Sequence, residues 1–407
     1  MRVGPFWLGI ALALPCVAGA ANDEASATEG WFDALRHGEF HFIPRYRYED
    51  VDDEAFSEPA RASTLRSRFS YRTAAWHGWT ALAEVDDLRS IGADEYNSTR
   101  NGEVTRPVVA DPEGTDFNQL SLAYADERYA FTLGRQRLTL DDHRFVSPSS
   151  WRQNEQTFDA VSARVRFARA EFLYAYLASV ERIFGPDPGV PPPRLNSDSH
   201  VLNVRVGAGA LGNVVGFAYL FDFDNASALS RDTYGVLWTG TYPLTSTLGL
   251  VHNVSYATQD NAGSNPTDFR AHYGQVQVGL RYRGWTALVG RDLLSGDATR
   301  PNRAFQTPLA GLHLFQGWAD KFTTTPPQGI TDDYASVAGT WGGFNLQVVW
   351  HRFEAEAVDR DYGEEWDISV SRRFATRYDV LVKGADYSSR GFANDTTKWW
   401  VQFIANF

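Results

Sequence analysis

Apolar and polar residues alternate along most of this chain in segments of about ten, joined by connections that switch between very short and long. Because a strand sends successive side chains to opposite faces, each segment presents one greasy face and one polar face. The clearest case is Trp399-Trp400-Val401-Gln402-Phe403-Ile404-Ala405-Asn406-Phe407. There Trp399, Val401, Phe403, Ala405 and Phe407 form an unbroken apolar stripe, with Gln402 and Asn406 on the other side. A strand this oily on one face belongs against lipid rather than water. The pattern predicts an all-β fold, a transmembrane antiparallel β-barrel.

Strands are expected near 39–48, 61–74, 78–90, 117–125, 128–140, 157–168, 169–182, 199–206, 212–223, 231–242, 245–259, 271–283, 285–294, 331–341, 343–356, 364–373, 375–388 and 397–407. That makes eighteen strands, with sixteen as the second choice; an even count keeps both ends of the barrel on one side of the membrane. The short turns, such as Ala168-Arg169, Gly284 and Phe374-Ala375, are too small to fold inward as a gate. Long loops are expected near 91–116, 141–156 and 295–329. The last carries Phe305, Leu309, Phe315, Trp318 and Phe322, too apolar a set for bulk water. It packs either into the barrel mouth or against neighbouring loops or a second subunit.

The start of the chain sets the compartment. Arg2, an apolar run from Phe6 to Leu14 and the A-x-A site Ala18-Gly19-Ala20 predict a signal peptide over 1–20. A short segment, 21–30, then precedes the barrel at 31–407. No run of about 18 apolar residues follows, so any crossing is by strands. The expected destination is the outer membrane of a Gram-negative cell. The sole cysteine, Cys16, lies within the signal, and Pro15 before it is a poor context for lipid anchoring. Its removal leaves no disulfide, thiolate metal site or cysteine nucleophile.

Composition adds two points. Charged residues are 22% of the chain, which a barrel accommodates because only alternate strand residues meet lipid; aromatics at 14% suit two interfacial girdles. The formal charge is −12, and loss of Arg2 leaves 37 basic against 50 acidic residues, or −13, which argues against a nucleic-acid partner.

Parity sends many arginines inward. Arg45 and Arg47 oppose Phe42 and Tyr46, and Arg66, Arg68 and Arg72 oppose Phe69 and Tyr71. Arg164 and Arg166, Arg205, and Arg281 and Arg283 follow the same rule, as do Glu84, Asp86, Glu171 and Asp367. A lipid-facing arginine costs about 2–4 kcal/mol at mid-bilayer, so the lumen is the favoured side. The expected lumen carries a basic stripe facing an acidic one. Such a field can select anions, or its Arg-carboxylate pairs can simply knit the wall.

One region goes beyond pattern. Gly134-Arg135-Gln136-Arg137, Asp141-Asp142-His143-Arg144-Phe145 and Trp151-Arg152-Gln153-Asn154-Glu155-Gln156-Thr157-Phe158-Asp159, with Gly317-Trp318-Ala319-Asp320-Lys321-Phe322 further on, resemble the alginate export family of outer-membrane porins. The resemblance implies an eighteen-stranded pore with an arginine-rich constriction for an anionic polysaccharide or its fragments, and adds Arg135, Arg137 and Arg152 to the lumen candidates. The alginate exporter itself is longer and has a large gating turn with no counterpart here. A passive channel for small anionic or sugar-like solutes and oligosaccharides is therefore the leading expectation. Export of alginate or another anionic polysaccharide is one alternative, and surface binding or adhesion through the loops is another.

An enzyme is not expected: there is no Gly-x-Ser-x-Gly, and the nine histidines form no His-Glu-x-x-His pair. Asp141-Asp142-His143 reads either as a capped turn or as a cation-binding loop. An energised transporter needs a plug domain, whereas about ten residues separate Ala21 from Trp31. No cofactor is expected. The expected partners are outer-membrane lipid and lipopolysaccharide, the barrel-assembly machinery through the strand ending at Phe407, and the solute.

Overall fold

The computed structural model describes residues 30–407, so the expected signal peptide, Cys16 and most of 21–30 lie outside the described residues. Its strands are β1 (Glu39–Asp53), β2 (Ala60–Arg72), β3 (Trp79–Glu95), β4 (Gly114–Ala125), β5 (Tyr129–Gln136), β6 (Thr157–Phe167), β7 (Ala170–Glu181), β8 (Arg194–Gly207) and β9 (Asn213–Phe221). They continue as β10 (Arg231–Pro243), β11 (Leu248–Asn261), β12 (Arg270–Tyr282), β13 (Trp285–Leu294), β14 (Ile330–Trp341), β15 (Phe344–Glu354), β16 (Asp361–Phe374), β17 (Tyr378–Ser389) and β18 (Thr396–Ala405). Each pairs antiparallel with its neighbours in sequence, and β1 pairs with both β2 and β18. The eighteen-stranded sheet is thereby a closed barrel with no free edge, the arrangement that satisfies every ladder hydrogen bond in a medium without water.

Eight connections at one end, among them 168–169, 283–284 and 342–343, are at most six residues long. The long loops lie at the other end. Tyr46 sits across from Leu65 and Phe403 on the outer face, where Val236, Val276, Val289 and Ile368 are about half exposed. Trp399, Val401 and Phe403 lie on this face as their alternation predicts, while Trp400 and Gln402 are buried inside. The strands outrun the apolar pattern at the long-loop end: β3 continues to Glu95 and β8 begins at Arg194, because pairing persists where the greasy alternation has stopped. β5 is shorter than expected, ending at Gln136, since the chain turns into the lumen at Arg137. A helix absent from the sequence reading, α1 (Trp31–Arg36), packs Trp31 edge-on against Trp76 at the short-turn end, with ring centroids 6.0 Å apart.

The interior is not an empty tube. The 137–156 loop, here the first lumen loop, and the 295–329 loop, the second, enter the barrel and build an apolar core with inward residues of its wall. Leu138, Phe145, Phe305, Leu309 and Phe322 from the loops join Phe158, Phe217, Tyr273, Phe353, Tyr387 and Trp400 from the strands. Of the readings left open for the apolar long loop, the structure shows the inward one.

Candidate pore lining

Five of the thirteen expected arginines, Arg45, Arg47, Arg66, Arg68 and Arg72, lie on β1 and β2. Arg45 and Arg66 are direct neighbours across β1 and β2, on the inward face. Like charges on one rung repel, and the first lumen loop answers with oxygen. Arg45 donates from Nε to Gln153 Oε1 at 2.7 Å, from Nη1 to the Ser150 carbonyl at 2.9 Å, and also to the Arg152 carbonyl. Arg47 donates to the Trp151 carbonyl at 2.5 Å and to Gln402 Oε1 at 2.7 Å. Arg68 makes a two-pronged pair with Asp86, at 2.7 and 2.6 Å, and reaches Glu155 at 3.1 Å. Glu155, on the loop, also pairs with Arg137 at 2.5 Å and Arg66 at 3.8 Å, while Glu84 takes a second prong of Arg137 at 2.5 Å. Burial opposes the charge of Glu155, but Arg137, Arg68 and Arg66 outweigh it and hold its carboxyl well below the usual range.

These side chains are almost sealed: Arg45 is 5% exposed, Arg66 3%, and Arg47 and Arg68 1%. The expected basic stripe facing an acidic one across open lumen is therefore not what forms. Acids and bases sit side by side on adjacent strands, and the loop covers them. Arg152 completes the seam by pairing with Glu49 at 3.1 Å and with Asp320 of the second lumen loop at 3.4 Å.

The second lumen loop docks on β16 to β18. Its backbone N–H groups at Trp318 and Ala319 donate to Asp367 at 3.2 Å and Glu365 at 2.7 Å. Gly317 has φ +80, and a Cβ there would come within 2.3 Å of Glu365, so only glycine lets the loop lie this close. His313 links Asp320, 2.8 Å from its Nδ1, to Lys383 of β17, 2.6 Å from its Nε2. Its ring stacks on Trp151 of the first lumen loop at 4.3 Å and 5°. Burial pulls His313 well below its ordinary 6.5. Lys398 of β18 also donates to Asp320, at 3.1 Å, and Lys321 pairs with Asp53 at 2.6 Å. Arg144 of the first lumen loop pairs with Asp292 and lies 3.7 Å over the Phe315 ring.

Between the docked loops and the short-turn end lies an open space of about 610 Å³. Of the expected lumen residues, Arg205 and Arg281 line it. Arg205 pairs with Asp141 at 2.6 Å, so the Asp141-Asp142-His143 turn uses its first carboxylate on the wall. Arg164 and Arg166 both pair with Glu171 near the short turns, at 3.3 and 2.9 Å, and Arg72 is exposed at that end.

Two candidates are elsewhere. Arg135 is on the outer face: it pairs across from Leu120, which is 52% exposed, and its partners are Asp159 at 2.8 Å and Glu181 at 3.0 Å. Its parity is that of Phe131 and Leu133, so the alternation could have placed it, whereas the family resemblance misplaced it. Arg283 lies beyond the end of β12 in a left-handed turn (φ 48), with its guanidinium 5.2 Å over Tyr282. Residues missed from sequence are Arg144, Trp151, His313, Lys383 and Trp400. The parity of Val382 and Val401 already pointed the last two inward.

Three comparisons bear on this architecture. The alginate export family model matches residues 39–176. No curated protein sequence matches. Among solved structures, OccAB2 of Acinetobacter baumannii superposes with a TM-score of 0.73 at 12% identity, covering 92% of this chain and 98% of that one. OpdK of Pseudomonas aeruginosa, solved with vanillate, gives 0.67 at 11% identity, covering 92% and 99%. OccK3 (OpdO) of the same organism gives 0.67 at 13% identity, covering 93% and 98%. At such identities the likeness speaks for the fold. The chain is an eighteen-stranded, porin-like barrel that resembles the alginate export family of outer-membrane porins, whose sequence model it matches over 39–176.

Proposed function

We propose that this chain is a passive diffusion channel of the outer membrane for small hydrophilic solutes, anionic or sugar-like. The observation that carries the reading is the space of about 610 Å³, lined by polar and apolar side chains together, that the barrel encloses beneath two docked loops. A space of that size lies within the range of small-molecule sites, about 300–1,000 Å³, and is far too narrow for a folded chain. Passive diffusion is favoured over gated export because, among the described residues, no connection at the short-turn end exceeds six residues. Among the described residues, none of these turns is long enough to cover the opening.

Charge at the space is mixed. Arg205 and Arg281 lie toward the short turns, and Asp142 and Asp292 lie under the loops. That arrangement supports orientation of dipolar solutes more than strong anion capture. The test is electrical. Protein refolded in detergent and added to a planar bilayer should give discrete conductance steps, and a steady baseline without steps would rule the channel out.

A further inference from the structure

Several of the charged groups around the cavity are already matched within the protein. Arg205 is taken by Asp141, which also accepts from Asn203 at 2.7 Å. Arg144 is taken by Asp292, and His351 by Asp332 at 2.9 Å. Lys383 donates to His313 and lies 3.5 Å over the Trp318 ring. A solute gains little from a cation whose counter-charge is beside it, because displacing that partner leaves a buried charge alone.

Most of the cavity-lining groups left wanting are neutral. Asn253 Oδ1, Gln275 Oε1 and Ser369 Oγ have no hydrogen-bond partner among the described residues, although Asn253 is only 8% exposed, Gln275 4% and Ser369 3%. Trp151 Nε1 is unpartnered as well. All four residues line the cavity, on β11, β12, β16 and the first lumen loop. Alternation aims Gln275 and Ser369 inward, since the adjacent Val276 and Ile368 are 56% and 45% exposed on the outer face. Each orphaned group costs about 1–3 kcal/mol until water or a solute meets it.

The chemistry of these atoms selects the visitor. Two amide oxygens need donors, the indole N–H needs an acceptor, and the serine hydroxyl serves either way. Asp332 Oδ2, unpartnered on the same wall, adds another acceptor. A carboxylate brings only acceptors, so it would leave both amide oxygens and Asp332 Oδ2 unmet. An ammonium group brings only donors and leaves the indole unmet. A sugar hydroxyl both donates and accepts, and a ring of hydroxyls answers the whole set.

We infer that the cavity is a binding station for neutral polyhydroxylated solutes of mono- to disaccharide size, with Asn253, Gln275, Ser369 and Trp151 as its contact residues. The inference rests on the diffusion-channel reading and narrows it, placing hydroxyl matching above anion attraction. The test compares glucose with gluconate, which has the same carbon skeleton but carries a carboxylate, in swelling of proteoliposomes containing the full chain. Glucose is expected to enter severalfold faster. In Asn253→Leu combined with Gln275→Leu the glucose-to-gluconate ratio should fall toward one. Should that pair fail to fold, judged by loss of heat-modifiable migration, Ser369→Ala gives the same readout with a smaller change. Gluconate entering as fast as glucose in the unaltered protein, or a ratio untouched by the substitutions, overturns the inference alone. No swelling with either solute or with glycerol overturns the channel reading with it.

Discussion

Arg45 and Arg66 stand directly opposite one another across β1 and β2, two like charges on one inward rung of the barrel. Isolated, the pair would push the strands apart; buried, it would be worse. What holds them is supplied from a distant part of the chain: Gln153 and two loop carbonyls for Arg45, Glu155 for Arg66. The arginines thus act on the loop as much as the loop acts on them.

Glu155 is the hinge of that arrangement, since it touches Arg66, Arg68 and Arg137. Glu155→Gln keeps the shape but leaves buried positive charge short of one partner. Removing one member of a buried pair costs about 3–5 kcal/mol. The expected result is release of the first lumen loop, seen as new protease cleavage within 137–156 while the barrel stays folded in detergent. Cleavage indistinguishable from the parent would mean Glu84 and Asp86 suffice.

Ion selectivity separates buried arginines from those at the cavity. Arg45→Gln and Arg68→Gln should barely move the reversal potential in a salt gradient, because both side chains are sealed from the lumen and Arg68 is neutralised by Asp86. Arg205→Gln leaves Asp141, next to the cavity-lining Asp142, without its counter-charge. A unit charge at about 4 Å in water is worth about 1 kcal/mol, so the permeability ratio should shift toward cations by roughly fivefold at most. A larger shift from the buried pair than from Arg205 would restore the open basic lumen that the alternation alone suggests.

That contrast shows what the sequence could and could not convey. Period-two alternation located all eighteen strands and turned Arg45, Arg68, Glu84 and Asp86 inward, because lipid enforces that parity residue by residue. It says nothing of what lies above an inward side chain. Burial of Arg45 depends on Gln153, which is 108 positions away, and docking of His313 depends on Lys383, 70 positions away. Neither contact leaves a periodic trace. Arg283 failed for a simpler reason: the strand ended one residue earlier, and beyond a strand parity has no meaning.

Docking of the second lumen loop should depend on pH through His313. In the docked loop its neutral ring donates from Nδ1 to Asp320 and accepts at Nε2 from Lys383; Trp151, Trp400 and Arg152 surround it, and Lys398 shares Asp320. A proton on Nε2 would face the Lys383 ammonium. Burial holds the docked imidazole well below its ordinary 6.5, so below that pH a released loop takes a proton that the docked loop refuses. The His313 contribution to docking is thus fully present above about pH 6.5 and is lost as pH falls, by up to about 1.4 kcal/mol per unit. Asp320 adds no trend in this window: burial would raise it, but His313, Lys398 and Arg152 keep it well below the usual carboxylate range. Current fluctuations should become more frequent from pH 7.5 to 5.5, and His313→Gln should flatten the trend. Fluctuations that rise equally in the variant would assign the effect to other groups.

On the diffusion-channel reading, the second lumen loop should also set how much current passes. Leu314, Phe315, Gln316 and Trp318 form the roof of the open space, and Phe305 and Phe322 anchor that roof in the apolar core above it. Replacing 304–325 by a short Gly-Ser linker removes roof and anchors together while leaving all eighteen strands and the β1 to β18 seam untouched. Barrel closure rests on the strand ladder, so heat-modifiable migration should persist. Single-channel conductance should rise severalfold, because the segment taken out lies across the lumen rather than along its wall, and the glucose-to-gluconate ratio should survive since Asn253, Gln275 and Ser369 remain on the strands. A conductance equal to that of the parent would mean that ions pass on the other side of the first lumen loop, along β1 to β4, and that the roof closes a side chamber instead of the path.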